Sequence, residues 1–386
     1  MPWPLHGGPL PDKRAPGKRT MAARPLRVLY LTSVPWLPAQ QNHTPGAGPD
    51  PFELWQCLSH EGVDVHLMDA ARFPLNPLAK LHSFYQSIDP YRSLKVLLAR
   101  RDYDLVLVSQ DGGATIPVLL RRLAGFKAPI LIWDLSPAAY WRVRQRIQDQ
   151  VVPRVDAILA VHSAQAAYVA KRWGPHIPVL TVGYPIDTSF WHPQYSEAPE
   201  HILSVGDDPG RDYPTLVAAM DGVDSKLLIR TRHDIAVPPA NRSSVGLIAS
   251  QLDYPTYRSI FARSRFIALP LKPHTLNASG ITTLAEAFAL GKAAIVTDSD
   301  GVRDFLLPGE NCLTVPPGDP DALRRAIQRL LREPEECARL GQNARRYAEE
   351  HFSRPAFAKR FADILRGFLA ASHSTAARSR GNRHGE

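Results

Sequence analysis

The sequence has little cysteine, no long apolar run and no apolar leader segment. Its 386 residues include three cysteines, Cys57, Cys312 and Cys337, which are odd in number and form no C-x-x-C pair. This spacing argues against a disulfide framework and against a zinc site. No apolar run reaches the ~18–20 residues that span a bilayer, and residues 1–20 lack the apolar core of a signal peptide. We therefore expect a cytoplasmic protein.

A G-x-G-x-x-G motif is also missing after the first expected strand, because Gly46 and Gly48 lie in a long loop. This absence argues against a dehydrogenase of the Rossmann type. The net charge is +9, and part of it lies in both terminal tails. No aromatic residues alternate with the basic ones, so we expect no nucleic-acid partner. Anionic substrates and the anionic cytoplasmic face of a membrane both fit the charge.

Short apolar segments of strand type alternate with helical segments along most of the chain. The first series of strands is expected at residues 27–32, 63–68, 104–108, 129–133, 157–161 and 179–182. The second is expected at residues 201–206, 226–229, 245–248, 266–269, 293–297 and 312–315. This alternation predicts parallel sheets covered by helices on both faces. A chain that is 44% hydrophobic can bury the cores of two such domains.

The two series divide the chain into two doubly wound α/β domains. We expect an N-terminal domain at residues 24–186 and a C-terminal domain at residues 187–354. An apolar stripe at helical spacing then predicts a helix over residues 355–370. Residues 1–23 and 371–386 are expected to be disordered tails.

A tight glycine turn, a helix, a glycine stop and a buried strand follow one another in residues 277–298. Gly280 permits a backbone conformation that is closed to other residues. Thr282 and Thr283 open the helix, and the free N–H groups at such an end can bind a phosphate or diphosphate. Glu286, one turn later, could accept hydrogen bonds from ribose hydroxyls. The alternative is an ordinary helix start with a solvated glutamate.

The chain resembles the retaining glycosyltransferases of family 4 (glycosyl transferases group 1), which have the GT-B fold of two Rossmann-like domains facing a cleft. Residues 205–216 resemble that family's glycine-containing first strand and the basic residue after it. Residues 280–286 resemble its phosphate turn and ribose-binding glutamate, and residues 291–320 match the stretch that closes the C-terminal domain. The similarity is long and specific there, and weaker in the N-terminal half.

This resemblance implies a hexosyltransferase-type enzyme that moves a sugar from a nucleotide-sugar donor to an acceptor hydroxyl with retention. Arg211 would bind the diphosphate together with Gly280, Thr282 and Thr283, and Glu286 would bind the ribose. No metal and no cofactor would be needed, since a guanidinium can offset the charge of the leaving diphosphate. The acceptor would be a saccharide, a lipid-linked molecule or a small molecule. The last helix would cross back onto the N-terminal domain.

Three positions depart from the family pattern. Ala278 stands where the family has a first glutamate, eight residues before Glu286. Asp207 follows Gly206 where an arginine is usual, and Asp134 follows a strand where many members have a histidine nearby. These departures leave the donor sugar open. Two alternatives stay open: a nucleotide-sugar epimerase, which can share this fold, and a non-catalytic protein that binds sugar nucleotides, which Ala278 and the missing histidine favour.

Two acidic sites, Asp134 and the pair Asp298 and Asp300, have competing interpretations. Asp134 ends an expected strand of the N-terminal domain and would face the cleft, where it could orient the acceptor hydroxyl or act as its base. A turn role fits Asp134 equally well, because Leu-Ser-Pro follows it. Asp298 and Asp300 form a D-x-D pattern that binds a metal in another glycosyltransferase fold. Here the pattern follows a strand where the family has a loop, so we interpret it as turn chemistry.

Overall fold

The computed structural model describes residues 24–32, 43–69, 90–98, 102–109, 112–121, 123, 125–135, 142–194, 199–274 and 278–381. Within these residues the chain forms two parallel six-stranded sheets, one in each half of the sequence. Every strand that the sequence predicts is present, with small differences at the ends. None of the helices in this part of the chain is long and apolar enough to cross a bilayer.

The first sheet has the order β2-β1-β3-β4-β5-β6. Its strands are β1 (Leu26–Leu31), β2 (Val63–Met68), β3 (Leu105–Ser109), β4 (Ile130–Trp133), β5 (Ala157–Ala160) and β6 (Val179–Thr181). The helices between them are α1 (Glu53–His60), α2 (Pro90–Leu98), α3 (Thr115–Leu120), α4 (Arg142–Val151) and α5 (Ala164–Trp173). Residues from α2 to α5 cover one face of the sheet, and α1 covers the other.

The second sheet has the order β12-β11-β10-β7-β8-β9. Its strands are β7 (His201–Val205), β8 (Lys226–Arg230), β9 (Val245–Ile248), β10 (Ser264–Leu269), β11 (Ala294–Thr297) and β12 (Leu313–Val315). The helices of this half are α6 (Tyr213–Ala219), α7 (Tyr254–Ala262), α8 (Ile281–Ala289), α9 (Pro320–Arg332) and α10 (Pro334–Tyr347). Because both sheets are parallel, the strands of each sheet end at one edge, where ligands bind in open α/β folds.

The last helix, α11 (Arg354–Gly381), returns to the first sheet as expected. Phe357, Phe361 and Leu365 are fully buried beside α1 and the strands of the first sheet. The helix is longer than the sequence predicted. Residues 371–381, expected to be part of a disordered tail, continue it, because Ala370 and Ala371 favour helix and no Gly or Pro lies between Ala371 and Gly381. Residues 1–23 and 382–386 lie outside the described residues.

Two chain segments connect the halves and run side by side. The N–H of Ile186 donates to the carbonyl of Phe352 at 2.7 Å, and Ile186 pairs with Ser353 in a parallel bridge. Just beyond, Arg354 lies 2.7 Å from Glu53 of α1 and 3.2 Å from the buried Asp187. The two halves are therefore joined where these two segments cross, through a backbone bridge and salt bridges.

Candidate active site

A cleft of about 720 Å³ separates the carboxyl edges of the two sheets. The N-terminal half contributes aromatic and acidic side chains, which are Tyr30, Trp55, Trp133 and Asp134. The connecting segment and the C-terminal half contribute Tyr184, Trp191, Tyr254, Thr282 and Glu286. The cleft therefore contains three of the residues that the sequence singles out, namely Asp134, Thr282 and Glu286.

The glycine turn before α8 has the geometry that the sequence predicts. Gly280 has a φ of 89°, in the left-handed region, and is the N-cap of α8. Of the nine residues of α8, only Thr282 is exposed, and its hydroxyl lies 3.0 Å from that of Tyr184. The free N–H groups of this helix end therefore point toward the cleft edge of the second sheet.

Arg211 lies under the start of α8, although it is far from α8 in sequence. Its guanidinium donates to Thr283 Oγ1 at 2.9 Å and pairs with Asp208 at 2.9 Å. Arg211 is 7% exposed, and its Nη1 atom is buried without a hydrogen-bond partner among the described residues. A side chain at Gly206 would collide with this guanidinium, since a Cβ there would lie 2.1 Å from Nε. The glycine at the end of β7 thus makes room for the arginine.

Glu286 is buried one turn into α8, and Tyr257 of α7 donates a hydrogen bond to its Oε2 at 3.0 Å. Burial raises the pKa of Glu286 from 4.5 to about 8, while Tyr257 and Arg211 act in the opposite direction. The same burial, with the carboxylate beside it, raises the pKa of Tyr257 well above 10.0. A solvated glutamate at an ordinary helix start does not describe this residue.

Asp207, which replaces the usual arginine, holds two arginines from the neighbouring strand. Its carboxylate pairs with Arg230 at 2.6 Å and with Arg232 at 3.1 Å, and it accepts the backbone N–H of Arg232 at 2.7 Å. These contacts keep the pKa of Asp207 below its usual value despite partial burial. Together, these two arginines and the one carboxylate carry a net charge of one positive unit.

Both carboxylates of the D-x-D pattern bind the guanidinium of Arg303. Arg303 donates to Asp298 at 2.7 Å and to Asp300 at 2.8 Å, and His274 lies 3.1 Å from Asp300. The hydrogen bonds from His274 and Arg303 lower the pKa of Asp300. Within the described residues no group of His, Cys, Asp or Glu is arranged to hold a metal ion.

Asp134 lies on the opposite wall of the cleft, directly after β4. It has a φ of 58°, a left-handed conformation that is uncommon outside glycine. Its side chain faces the cleft. Desolvation by the surrounding cleft walls raises the pKa of Asp134 above 3.8, while Gln165 and His162 act in the opposite direction. The wall beside it is aromatic, with Trp133 5.6 Å from Tyr30 between ring centres. Among the described residues, the N-terminal half of the cleft is thus mainly aromatic around the carboxyl group of Asp134.

A second contact crosses the cleft at the start of α5. The backbone N–H of Ser163 donates to Asp304 at 2.5 Å, and the Ser163 hydroxyl donates to the same carboxylate at 2.7 Å. Asp304 comes from the second half of the chain, so it caps a helix of the first half. This pair and the contact between Tyr184 and Thr282 hold the two walls together.

Sequence reasoning missed four residues that shape this site: Tyr184, Asp208, Tyr257 and Asp304. Tyr257 lies at helical spacing from Phe261, which indicates a core face and gives no sign that its hydroxyl binds a carboxylate. Asp208 binds Ser279, whose hydroxyl donates to it, and both flank the positions that depart from the family pattern. For Asp208, the available signal was its position next to Asp207 in the sequence.

Comparison with known proteins identifies a family in one segment of the chain. Residues 258–347 match the model of the family described as glycosyl transferases group 1. The putative glycosyltransferase EpsD of Bacillus subtilis (strain 168) is 36% identical over 84 residues, which is 22% of either chain. The MMP alpha-(1->4)-mannosyltransferase of Mycolicibacterium hassiacum is 24% identical over 357 residues, 84% of this chain and 82% of that protein.

Solved structures resemble the whole arrangement at low sequence identity. The sucrose-phosphate synthase of Thermosynechococcus elongatus superimposes with a TM-score of 0.67 at 19% identity, covering 90% of this chain and 100% of that one. HepE of Anabaena, in complex with UDP-glucose, superimposes with a TM-score of 0.59 at 15% identity, covering 89% and 100%. The chain therefore has the GT-B fold, and residues 258–347 of its second half carry the sequence pattern of the glycosyl transferases group 1 family.

Proposed function

We propose that this chain is a retaining glycosyltransferase that moves a hexosyl group from a nucleoside diphosphate sugar to an acceptor hydroxyl. The family match covers α8, the helix whose N-terminus faces the cleft. The observation that carries the proposal is the buried guanidinium of Arg211 under that helix end, whose Nη1 atom has no hydrogen-bond partner among the residues that the structure describes. Buried polar groups without partners are rare, and an anionic ligand would satisfy this one.

The donor would lie along the C-terminal wall. The diphosphate would accept hydrogen bonds from the first N–H groups of α8 and from Arg211 and Thr283. Glu286 would accept hydrogen bonds from the ribose hydroxyls after it ionises. A donor of this class is also supported by the solved structures of HepE with UDP and with UDP-glucose.

The leaving diphosphate needs positive charge to stabilise it in the transition state. We propose that Arg211 and the α8 N-terminus supply that charge without a metal. Asp298 and Asp300 already share Arg303, so a metal would have to displace this guanidinium. Activity should therefore persist in excess EDTA. Loss of activity with EDTA and recovery with magnesium or manganese would contradict the metal-independent mechanism.

Asp134 would act on the acceptor side. Its raised pKa suits a group that accepts a proton from, or orients, the attacking hydroxyl. The strained backbone at Asp134 is consistent with a functional position, since such strain concentrates at active sites. Saccharides, lipid-linked molecules and small molecules all remain acceptor classes of this proposal.

The test is turnover with a panel of nucleotide sugars. Purified protein should release nucleoside diphosphate faster when an acceptor is present, and NMR of the product should show the anomeric configuration of the donor. A new sugar isomer in place of transfer would indicate an epimerase, and binding without turnover would indicate a non-catalytic protein. The Arg211→Met variant is the matched inactive control, and Arg263→Gln, a surface change in the same domain, is the active one.

A further inference from the structure

The first sheet carries an outer layer of helices with an unusual solvent face. Helix α2 packs against α3, and α3 packs against α4. Nine large apolar side chains are exposed in the described residues, and six of them lie on or directly after these three helices. They are Leu94 (57% exposed), Leu98 (71%), Leu119 (49%), Leu120 (41%), Leu123 (87%) and Val143 (55%). We call this solvent side of α2, α3 and α4, with Leu123, the outer helical face.

These leucines are additional to the residues that build the core. In α2, Val96 and Leu97 are buried in the first core, while Leu94 and Leu98 lie one turn apart on the outside. In α3, Val118 is buried and the two following leucines are exposed. Helices α2 and α3 are therefore apolar on two sides, and a second apolar side needs a partner.

The same face is strongly basic. Arg142 and Arg146 lie one turn apart on α4 and are exposed, as is Lys127 in the loop after α3. In the described residues of α2, α3, α4 and the loop from α3 to β4, the one acidic residue is Asp149, which pairs with Arg172 at 3.0 Å. An apolar surface with basic residues and almost no exposed acid is complementary to the headgroups and acyl boundary of an anionic bilayer.

We propose that the outer helical face binds the surface of an anionic phospholipid bilayer. The last helix, whose sequence also combines an aromatic stripe with basic residues, does not offer this surface. Phe357 and Phe361 are buried, and Arg360 and Arg366 donate to the backbone carbonyls of Val182 and Glu61. The membrane-facing surface is thus on the N-terminal half, on the opposite side of the sheet from α11.

Vesicle flotation tests this proposal without donor or acceptor, so its outcome is independent of the proposed function. The full chain should float with vesicles of phosphatidylcholine and phosphatidylglycerol, and much less with phosphatidylcholine alone. The double variant R142Q/R146Q should bind about 25-fold more weakly, since each basic residue near the surface contributes about fivefold. The double variant L98S/L123S should bind the anionic vesicles at least about tenfold more weakly, because two apolar side chains no longer insert into the bilayer.

Two matched double variants on the other half of the molecule serve as controls. R325Q/R332Q removes two exposed arginines of α9, and L247S/L307S removes two exposed leucines, at 47% and 40%. Both should float like the unchanged protein, and thermal unfolding should confirm that all variants are folded. Equal binding to neutral vesicles, or unchanged binding by both face variants, would overturn the proposal. A self-associated protein that the face variants dissociate, without vesicle binding, would make this face a contact between copies and would also overturn it.

Discussion

The two walls of the cleft are built from different chemistry. The C-terminal wall is a network of buried charged and polar groups, in which Arg211 binds Thr283 and Glu286 accepts from Tyr257. The N-terminal wall is aromatic around the carboxyl group of Asp134, with Trp55 and Trp133 both packed against Tyr30. A polar wall with fixed partners suits a donor whose ribose and diphosphate are constant, whereas an apolar wall can accept varied shapes.

The walls also differ in how they are supported. The C-terminal wall is held by contacts between residues of its own half. The N-terminal wall depends on the end of the chain, since Trp133 stacks on Phe357 with ring centres 6.0 Å apart and contacts Phe361 at 5.0 Å. Changes in α11 should therefore affect one wall and spare the other.

The largest expected effect comes from Phe361→Ala. Removing this buried ring should lower the free energy of unfolding by about 3–5 kcal/mol, because it leaves a cavity under Trp133. Denaturant unfolding measures this loss, and calorimetric titration should show unchanged nucleoside diphosphate affinity. Phe368→Ala, on the same helix but only partly buried, is the control and should cost less. A loss of nucleoside diphosphate affinity in the Phe361→Ala variant would show that the two walls are not supported separately.

Arg211→Met should have the next largest effect, this time on the C-terminal wall. It removes the buried positive charge at the α8 N-terminus, so nucleoside diphosphate affinity should fall by about 1.5–3 kcal/mol, which is about 10- to 150-fold. Calorimetric titration measures the change. Arg232→Gln, whose side chain is 68% exposed, removes a nearby charge and should change affinity much less. Similar losses in both variants would mean that net charge, and not the Arg211 geometry, binds the ligand.

The sequence was sufficient for the fold because each strand is a short apolar run bounded by loop residues. The turn at Gly280 and the helix after it were also predictable, since glycine and helix-end chemistry act locally. The placement of Arg211 under that helix followed from a resemblance, and the structure supplies its contact with Thr283, 72 residues away.

Contacts between distant segments could not be predicted. Tyr257 looks like a core residue, and its bond to Glu286 depends on how α7 lies beside α8. Asp207 looked like the loss of a positive charge, yet it holds Arg230 and Arg232 from a neighbouring strand. A sequence gives charges in order along the chain, whereas a site depends on which strand edges meet.

Glu286→Gln should lower nucleoside diphosphate affinity by about tenfold, since the amide loses the charge that strengthens bonds from ribose hydroxyls. The same variant should also change how the free energy of unfolding depends on pH. The folded protein keeps the Glu286 proton up to about pH 8, whereas a carboxyl at its ordinary value of 4.5 releases it earlier. The folded state thus binds more protons in this window, so the free energy of unfolding falls as pH rises from about 4.5 to 8.

The glutamine variant lacks this proton, so its stability relative to the unchanged protein should increase over that window and level off above about pH 8. Urea unfolding at several pH values measures the difference. Asp253→Asn, a change at the exposed start of α7, is the control and should show no such rise. Parallel pH profiles for the Glu286→Gln variant and the unchanged protein would show that Glu286 is already ionised in the folded state.

The smallest expected effect concerns the contact that joins the two walls. Asp304→Asn keeps the shape of the side chain but removes the charge that caps α5, which is worth about 0.3–1 kcal/mol at a helix N-terminus. The closed arrangement should lose that amount of free energy relative to the open one. Open molecules should therefore become about two- to fivefold more frequent relative to closed ones. Small-angle scattering should then give a larger radius of gyration, and saturating nucleoside diphosphate should reduce the difference. Asp321→Asn, also exposed but within α9, should leave the radius unchanged. An unchanged radius for Asp304→Asn would mean that closure rests on the other contacts, which are the crossing at Ile186 and Arg354 and the contact between Tyr184 and Thr282.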